Sequence, residues 1–129
     1  MSDILAGDVM ISDVFTVKGE SRVAYARLIM LRHSIGALPV VDSSDVLVGI
    51  ITQRDIDLAG EGVSDLLVSD LMTRTLIKAK KSTPLHWIAE RMIKTGIQRI
   101  PVVNEKSKLL GLVTQTCVIK AALVHNLLK

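Results

Sequence analysis

The segment Gly49-Ile50-Ile51-Thr52-Gln53-Arg54-Asp55 holds the residues best suited to grip a ligand. A β-branched apolar run ends at Thr52, and a helix is expected to start there. A helix start presents N–H groups without intrahelical partners and the positive end of the peptide dipoles, which suits a phosphate. The Thr52 hydroxyl can donate to a phosphate oxygen, and Arg54 adds positive charge. Asp55, one turn in, can accept from two vicinal hydroxyls such as those of a ribose, because a carboxylate only accepts. Thr-x-x-Asp is also a capping box, in which both side chains satisfy helix-end N–H groups. Both readings stand on the motif alone. A second segment, Gly111-Leu112-Val113-Thr114-Gln115-Thr116-Cys117, keeps the Thr and replaces the Asp with Cys. A box essential to the fold would be needed in both copies, which favours a ligand at Asp55.

Other chemistry is sparse. The chain of 129 residues has one cysteine, Cys117, and histidines at 33, 86 and 125, without metal-ligand spacing. No nucleophile–base pair or paired carboxylates appear, so no enzyme is expected. The lone Cys117, early in a helix, reads as a small packing residue, and the histidines as surface or helix-end residues. Residues 1–62 carry net charge −4 and residues 63–129 carry +7, giving the overall +3. Such asymmetry can hold an anion at the seam or pair the chain with a copy of itself. The sequence pI near 9.2 raises nucleic-acid binding through the basic second half as an alternative. Aromatic residues are only 2%, too few for the base stacking that single-strand binders use, so nucleic acid is not the expected partner. The run Lys78, Lys80, Lys81 reads first as a solvated face. Hydrophobic residues make up 49% and mean hydropathy is +0.42, enough for a core, while no apolar run reaches the roughly 18 residues of a membrane span. Met1-Ser2-Asp3-Ile4 lacks a signal-peptide pattern, and a cytoplasmic location without membrane contact is expected.

The elements that must position these residues come in duplicate. Shifted by 62 residues, the chain matches itself without a gap. Asp8-Val9-Met10 meets Asp70-Leu71-Met72, and Leu38-Pro39-Val40-Val41 meets Ile100-Pro101-Val102-Val103. Leu47 to Gln53 meets Leu109 to Gln115. The division is therefore 1–62 and 63–129. Each half reads as strand, helix, strand, strand, helix. In the second, Leu76–Ala79 is the first strand, Thr83 the helix cap and Pro84 the first helical residue. Leu85, Ile88, Ala89, Met92 and Ile93 follow at helical spacing, and Gly96 ends the helix. In the first, Ser21 caps, Val23, Ala26, Met30 and Leu31 face inward, and Gly36 follows the end. Hairpins turn through Asp42–Asp45 and Asn104–Lys108. The last helix ends near Gly60 in half one and runs toward Leu128 in half two. Trp87 and Tyr25 hold matching positions and read as packing or dimer contacts. A unit of about 60 residues is marginal alone, so the two are expected to pack together with a ligand cleft between them.

Two Gly-x-x-Thr segments, each following an apolar-Pro-Val-Val strand at this spacing, resemble a pair of cystathionine-β-synthase (CBS) domains, a Bateman module. The likeness covers about Ser2 to Val124. The chain is also similar to the regulatory insert of IMP dehydrogenase, without that enzyme's catalytic barrel. The resemblance implies an α/β (α+β) fold of two β-α-β-β-α repeats, packed sheet to sheet with pseudo-twofold symmetry. It implies a sensor for AMP, ADP or ATP, with S-adenosylmethionine or a dinucleotide as the alternative, held in two clefts between the repeats. No cofactor is required, although magnesium could accompany a nucleotide. In the first cleft Asp55 would take the ribose hydroxyls and Thr52 the phosphate, with charge from Arg54 and Arg99. Gly36 and Ala37 would leave room beside them, with Gln98 opposite Gly36 in the repeat. Ile50, Ile77 and Ile97 would flank the adenine, and Met72 and Thr75 would line the entry. The second cleft would use Phe15, Ile35, Leu112, Thr114 and Thr116, with Cys117 where the ribose-binding Asp belongs. Losing that charge-assisted hydrogen bond costs about 1.5–3 kcal/mol, roughly tenfold to 150-fold in affinity, so the second cleft should be weaker. The family also implies a homodimer, a disk of four repeats, in which Val118, Ile119, Ala122, Leu123 and Leu127 of the last helix would take part. A protein effector is the implied partner.

Overall fold

A computed structural model describes residues 4–125 of the chain. These fall into two compact units, Val14–Leu76 and the combination of Met1–Asp13 with Ile77–Lys129. The units are thus a different division from the sequence repeats at 1–62 and 63–129: each repeat gives its leading segment to the other.

Backbone pairing accounts for the exchange. Ahead of the second repeat, Val23 N–H donates to Leu66 O at 2.8 Å and Val68 N–H to Ser21 O at 2.8 Å. Thr73 and Ile50 exchange N–H···O bonds of 2.9 and 3.0 Å. Ahead of the first repeat, Leu85 N–H donates to Ile4 O and Ala6 N–H to Thr83 O, each at 2.8 Å, and Ile11 and Leu112 exchange bonds of 2.9 Å.

In the unit Val14–Leu76, strand β1 (Val17–Lys18) lies parallel to β2 (Ala37–Val41), and β2 runs antiparallel to β3 (Leu47–Thr52). Helix α2 (Val23–His33) and helix α3 (Gln53–Ala59) complete it, with a 3-10 turn at Val63–Asp65 and the short α4 (Val68–Leu71). Its core gathers Val23, Met30, Leu38, Val40, Ile51 and Ile56, all at most 2% exposed. The other unit carries the short α1 (Ala6–Val9), α5 (Leu85–Thr95), β4 (Arg99–Val103), β5 (Leu109–Thr114) and α6 (Gln115–Val124). Leu85, Ile88, Ile100, Val102 and Val113 are fully buried there.

The hairpins match in detail. Asp42 Oδ1 accepts from Ser44 and Val46 N–H, and Asn104 Oδ1 accepts from Lys106 and Lys108 N–H. Asp45 and Ser107 take left-handed φ of 64° and 63°. A register shift follows Val40 in one and Val102 in the other. The strand prolines fit because Pro39 faces Ile50 and Pro101 faces Leu112. Those partners spend their N–H and C=O on Thr73 and Ile11, so the missing proline N–H costs no hairpin bond.

Several local expectations are corrected. The strand over Leu76–Ala79 reduces to one parallel bridge, Ala79 with Val102, because Lys80 already turns, its N–H donating to Thr83 Oγ1 at 2.9 Å. Thr83 therefore does not cap α5. Pro84 is the N-cap and the helix opens at Leu85. Arg22, not Ser21, is the N-cap of α2, since the incoming Leu66 carbonyl takes the Val23 N–H. Ser34, with φ 54°, ends α2 two residues before Gly36, while Gly96 at φ 76° ends α5 as expected. Leu31 and Ile93 are 70% and 84% exposed; each lies one helical step, about 100°, from the buried methionine before it. Leu127 and Leu128 lie outside the described residues.

Candidate functional site

The end of β3 and the start of α3 bring one set of candidates together. Ala37 stands opposite Thr52 in the ladder, and Gln53 N–H donates to Gly36 O at 2.8 Å. That pins the first turn of α3 beside Gly36 and Ala37. Thr52 Oγ1 accepts from Asp55 N–H at 3.1 Å, and Asp55 Oδ2 accepts from Thr52 N–H at 2.9 Å. The capping box is complete, so Asp55 already has a structural role. Its carboxylate is half-buried and keeps Oδ1 without a hydrogen bond among the described residues. Arg54 is exposed.

Gly49 explains why Met72 is near. The chain after α4 crosses β3 at Gly49. A Cβ there would sit 2.7 Å from Met72 Sδ and 2.9 Å from Thr73 O. Only glycine lets the crossing segment pair with Ile50; the crossing lays Met72 over Gly49 and sets Thr73 opposite Ile50. Thr75 follows in the same segment and is exposed.

The other unit repeats this plan with altered chemistry. Arg99 stands opposite Thr114, and Gln115 N–H donates to Gln98 O at 3.1 Å. Thr114 Oγ1 accepts from Cys117 N–H at 3.2 Å and lies 3.3 Å from Cys117 Sγ. The Thr half of the cap survives without the Asp. The absence of a box in this copy is thus weaker evidence for a ligand at Asp55 than the sequence suggests. Cys117 is 8% exposed and packs into the core. Gly111 is crossed by Met10 and Ile11, with Met10 Sδ and Ile11 O each 2.7 Å from a built Cβ. This puts Leu112 against Ile11. Ile77 and Ile97 pack against the same core, and Thr116 is exposed.

The first candidate set therefore draws on both units: Ile77, Ile97, Gln98 and Arg99 belong with Thr114, and the rest with Asp55. In the second set, Phe15 and Ile35 belong to the unit that holds Asp55. Ile35 packs against that unit's core. Phe15 is 46% exposed and stacks on the His33 ring at 3.8 Å, the planes 17° apart. His33 is the exposed last residue of α2, as expected of a surface or helix-end residue, and the stack with Phe15 is an addition to that. The two lie 18 positions apart with no periodicity linking them, so only their type as flat rings hinted at the pair. Among the described residues no cluster of His, Cys, Asp and Glu could hold a metal ion, and no helix is long and apolar enough to cross a membrane.

Comparison with known proteins fits this duplicated plan. The family model for the CBS domain matches residues 6–61 and again 68–124. The fold matches CBSX2 crystallised in complex with AMP at TM-score 0.87 and 28% identity, over 95% of this chain and 98% of that one. CBSX2 from Arabidopsis thaliana also matches at TM-score 0.88 and 27% identity, over 98% and 99% of the two chains. The CBS pair of MJ0100, in complex with 5'-methylthioadenosine and S-adenosyl-L-methionine, matches at TM-score 0.84 and 30% identity, over 94% and 97%. Among curated relatives, inosine-5'-monophosphate dehydrogenase of Methanocaldococcus jannaschii is 36% identical over 89% of this chain. The chain spans 23% of that relative's length.

Proposed function

Since the chain belongs to the CBS domain family, we propose that it is a non-catalytic regulatory module that binds an adenosine-containing ligand, with AMP, ADP or ATP first among the candidates. The likeness to CBSX2 crystallised with AMP, end to end on both chains, carries this reading. The residues of the Thr52 junction give it chemistry. The free Oδ1 of Asp55 can accept from a ribose hydroxyl while Oδ2 keeps the helix capped. The Thr52 hydroxyl proton, not used in accepting from Asp55 N–H, can turn to a phosphate oxygen. Ile50 offers apolar surface to a base, with Ile77 and Ile97 assigned the same part from the other unit and Met72 assigned to the entry. Arg54 and Arg99 supply charge for the phosphate, and Thr75, Gly36, Ala37 and Gln98 complete the set. In the proposal the Cys117 copy, with Phe15, Ile35, Leu112, Thr114 and Thr116, binds more weakly, because a buried thiol cannot replace a carboxylate toward two hydroxyls. MJ0100 favours a second reading, S-adenosylmethionine or its thioether product as the ligand.

Calorimetric titration with AMP, ADP, ATP and S-adenosylmethionine tests both readings. The expected result is one tight adenylate site and one weaker. Two sites of equal affinity would remove the distinction drawn between Asp55 and Cys117. The proposal extends to a homodimer formed in part by α6, whose Ile119, Leu123 and Val124 are 52%, 61% and 78% exposed. Light scattering at two protein concentrations tests that part, and the protein effector would read the dimer's response to ligand.

A further inference from the structure

One groove lies wholly within the unit of α5 and the β4–β5 hairpin, about 470 Å³ in volume. Ala79, Pro84, Val103 and Trp87 give it apolar lining, and Thr83, Ser107, Lys78 and Lys80 polar lining. It sits at the turn end of the hairpin, where Val103 pairs with Leu109. Thr114 pairs with Arg99 at the opposite end, four residues or roughly 13 Å along the strand. The groove is therefore apart from Arg99 and Thr114, and of the proposed nucleotide residues only Ile77 adjoins its lining in the chain; the inference drawn from it does not rest on that reading.

The repeat supplies an internal control for what the fold requires. Lys78 and Lys81 stand where the other copy has Thr16 and Gly19, and Lys106 and Lys108 where it has Ser44 and Val46. Ser82 and Ser107 stand where the other copy has Glu20 and Asp45, and Asn104 where it has Asp42. Only Lys80 is shared in charge, matching Lys18, and both amines do the same structural work. Lys80 Nζ donates to Asn104 O, and Lys18 Nζ to Asp42 O, each at 2.8 Å. The fold thus needs one lysine here. Of the lysines beyond it, Lys78 lines the groove, while Lys81, Lys106 and Lys108 adjoin lining residues in the chain, with Glu105 the only acid in that turn. The groove is also rigidly built: Thr83 N–H and Lys80 O close a turn at 3.1 Å, and Asn104 ties both lysines of the hairpin turn through their main chain. Preformed walls lower the ordering cost of binding.

We propose that this groove docks an acidic peptide segment of a partner protein, with an aliphatic side chain on the apolar lining and flanking carboxylates facing the lysines. A peptide fits better than a nucleic acid strand. The groove has one aromatic ring, and Arg91 already lies over it at 4.7 Å from the ring centre, so one face is closed to base stacking. The aliphatic lining suits a side chain rather than a base.

Trp87 is the only tryptophan in the chain, so its emission reports on the groove in the intact protein. The probe is a synthetic Glu-rich peptide with one central Leu, titrated without adenylate. A Lys-rich peptide with the same Leu and an oligothymidylate serve as comparisons. The Glu-rich peptide should shift Trp87 emission, and its affinity should fall as salt rises. Lys78→Glu with Lys81→Glu should weaken it at least tenfold. Arg32→Glu with Lys120→Glu, an equal change of charge elsewhere, should weaken it less than twofold. Trp87→Leu, followed by anisotropy of a labelled peptide, should weaken it severalfold. No binding below about 1 mM, or equal binding to the Lys78/Lys81 variant, would overturn the proposal. So would oligothymidylate binding more tightly than the peptide, which would make this a phosphate-backbone surface. An emission shift on concentrating the protein alone, abolished in the Lys78/Lys81 variant, would assign the groove to a second copy and overturn it as well.

Discussion

Asp55 caps α3 with Oδ2 and, in the proposal, takes a ribose hydroxyl with Oδ1, and its variants should separate the two roles. Asparagine keeps an acceptor for the Thr52 N–H but loses the charge, whereas alanine loses both. Asp55→Asn should therefore weaken the best adenylate at least tenfold while moving unfolding free energy by less than about 0.5 kcal/mol. Asp55→Ala should weaken it as much and also cost about 0.5–2 kcal/mol of stability. Calorimetry and urea unfolding on the same samples read both numbers, and an Asn variant that binds normally would return Asp55 to capping alone. The second copy offers the complement: Thr114→Ala should cost about 1 kcal/mol and leave the tight adenylate site unchanged. The Thr-x-x-Asp motif was readable as a cap and as a ligand site at once, and the structure shows the cap. One carboxylate has enough lone pairs for both, so spacing could not choose between them. The Phe15–His33 stack was beyond reach, because nothing local joins two rings so far apart in the chain.

At the scale of elements, hairpins and helices were legible because their signals are local. Alternating apolar runs, paired turn residues and Gly96 each dictate geometry within a few positions. The leading segments were not. Their partners are main-chain groups on another repeat, and a backbone bridge selects no side chain of its own. The one trace is the glycine each crossing demands. Gly49→Ala and Gly111→Ala should each cost about 1–3 kcal/mol, because the added carbon meets a carbonyl oxygen that is itself bonded in the crossing. Gly19→Ala, whose Cβ would meet Ser69 at an ordinary 3.5 Å, should move stability by less than about 0.5 kcal/mol. Thermal or urea unfolding of the three variants gives the comparison. The outward Leu31 and Ile93 mark a related limit: apolar type beside a buried stripe does not fix which side of it faces the core.

For the molecule as a whole, the exchanged segments decide where it can be divided. A break after residue 62 parts β3 from Thr73 and the Leu112 strand from Ile11. Residues 14–76 keep every bridge of their own unit. As separate polypeptides, 14–76 should show more helical circular dichroism and slower amide exchange at Ile50 than 1–62, although at this size both are marginal. Similar signals from the two would mean that the crossing adds little to the unit. The same layout sets how the chain would answer to tension. Val14–Leu76 is an insert within the other unit, which is formed from chain on both sides of it. A pull applied through the stretches before Leu5 and after Val124 loads only the outer unit, through the Leu85–Ile4 and Ile11–Leu112 pairings. Along the chain, the load reaches the insert bearing Asp55 only after those pairings rupture, so a stretched molecule would surrender its outer body, and with it Ile77, Ile97, Gln98 and Arg99 of the proposed site, before the Thr52–Asp55 cap.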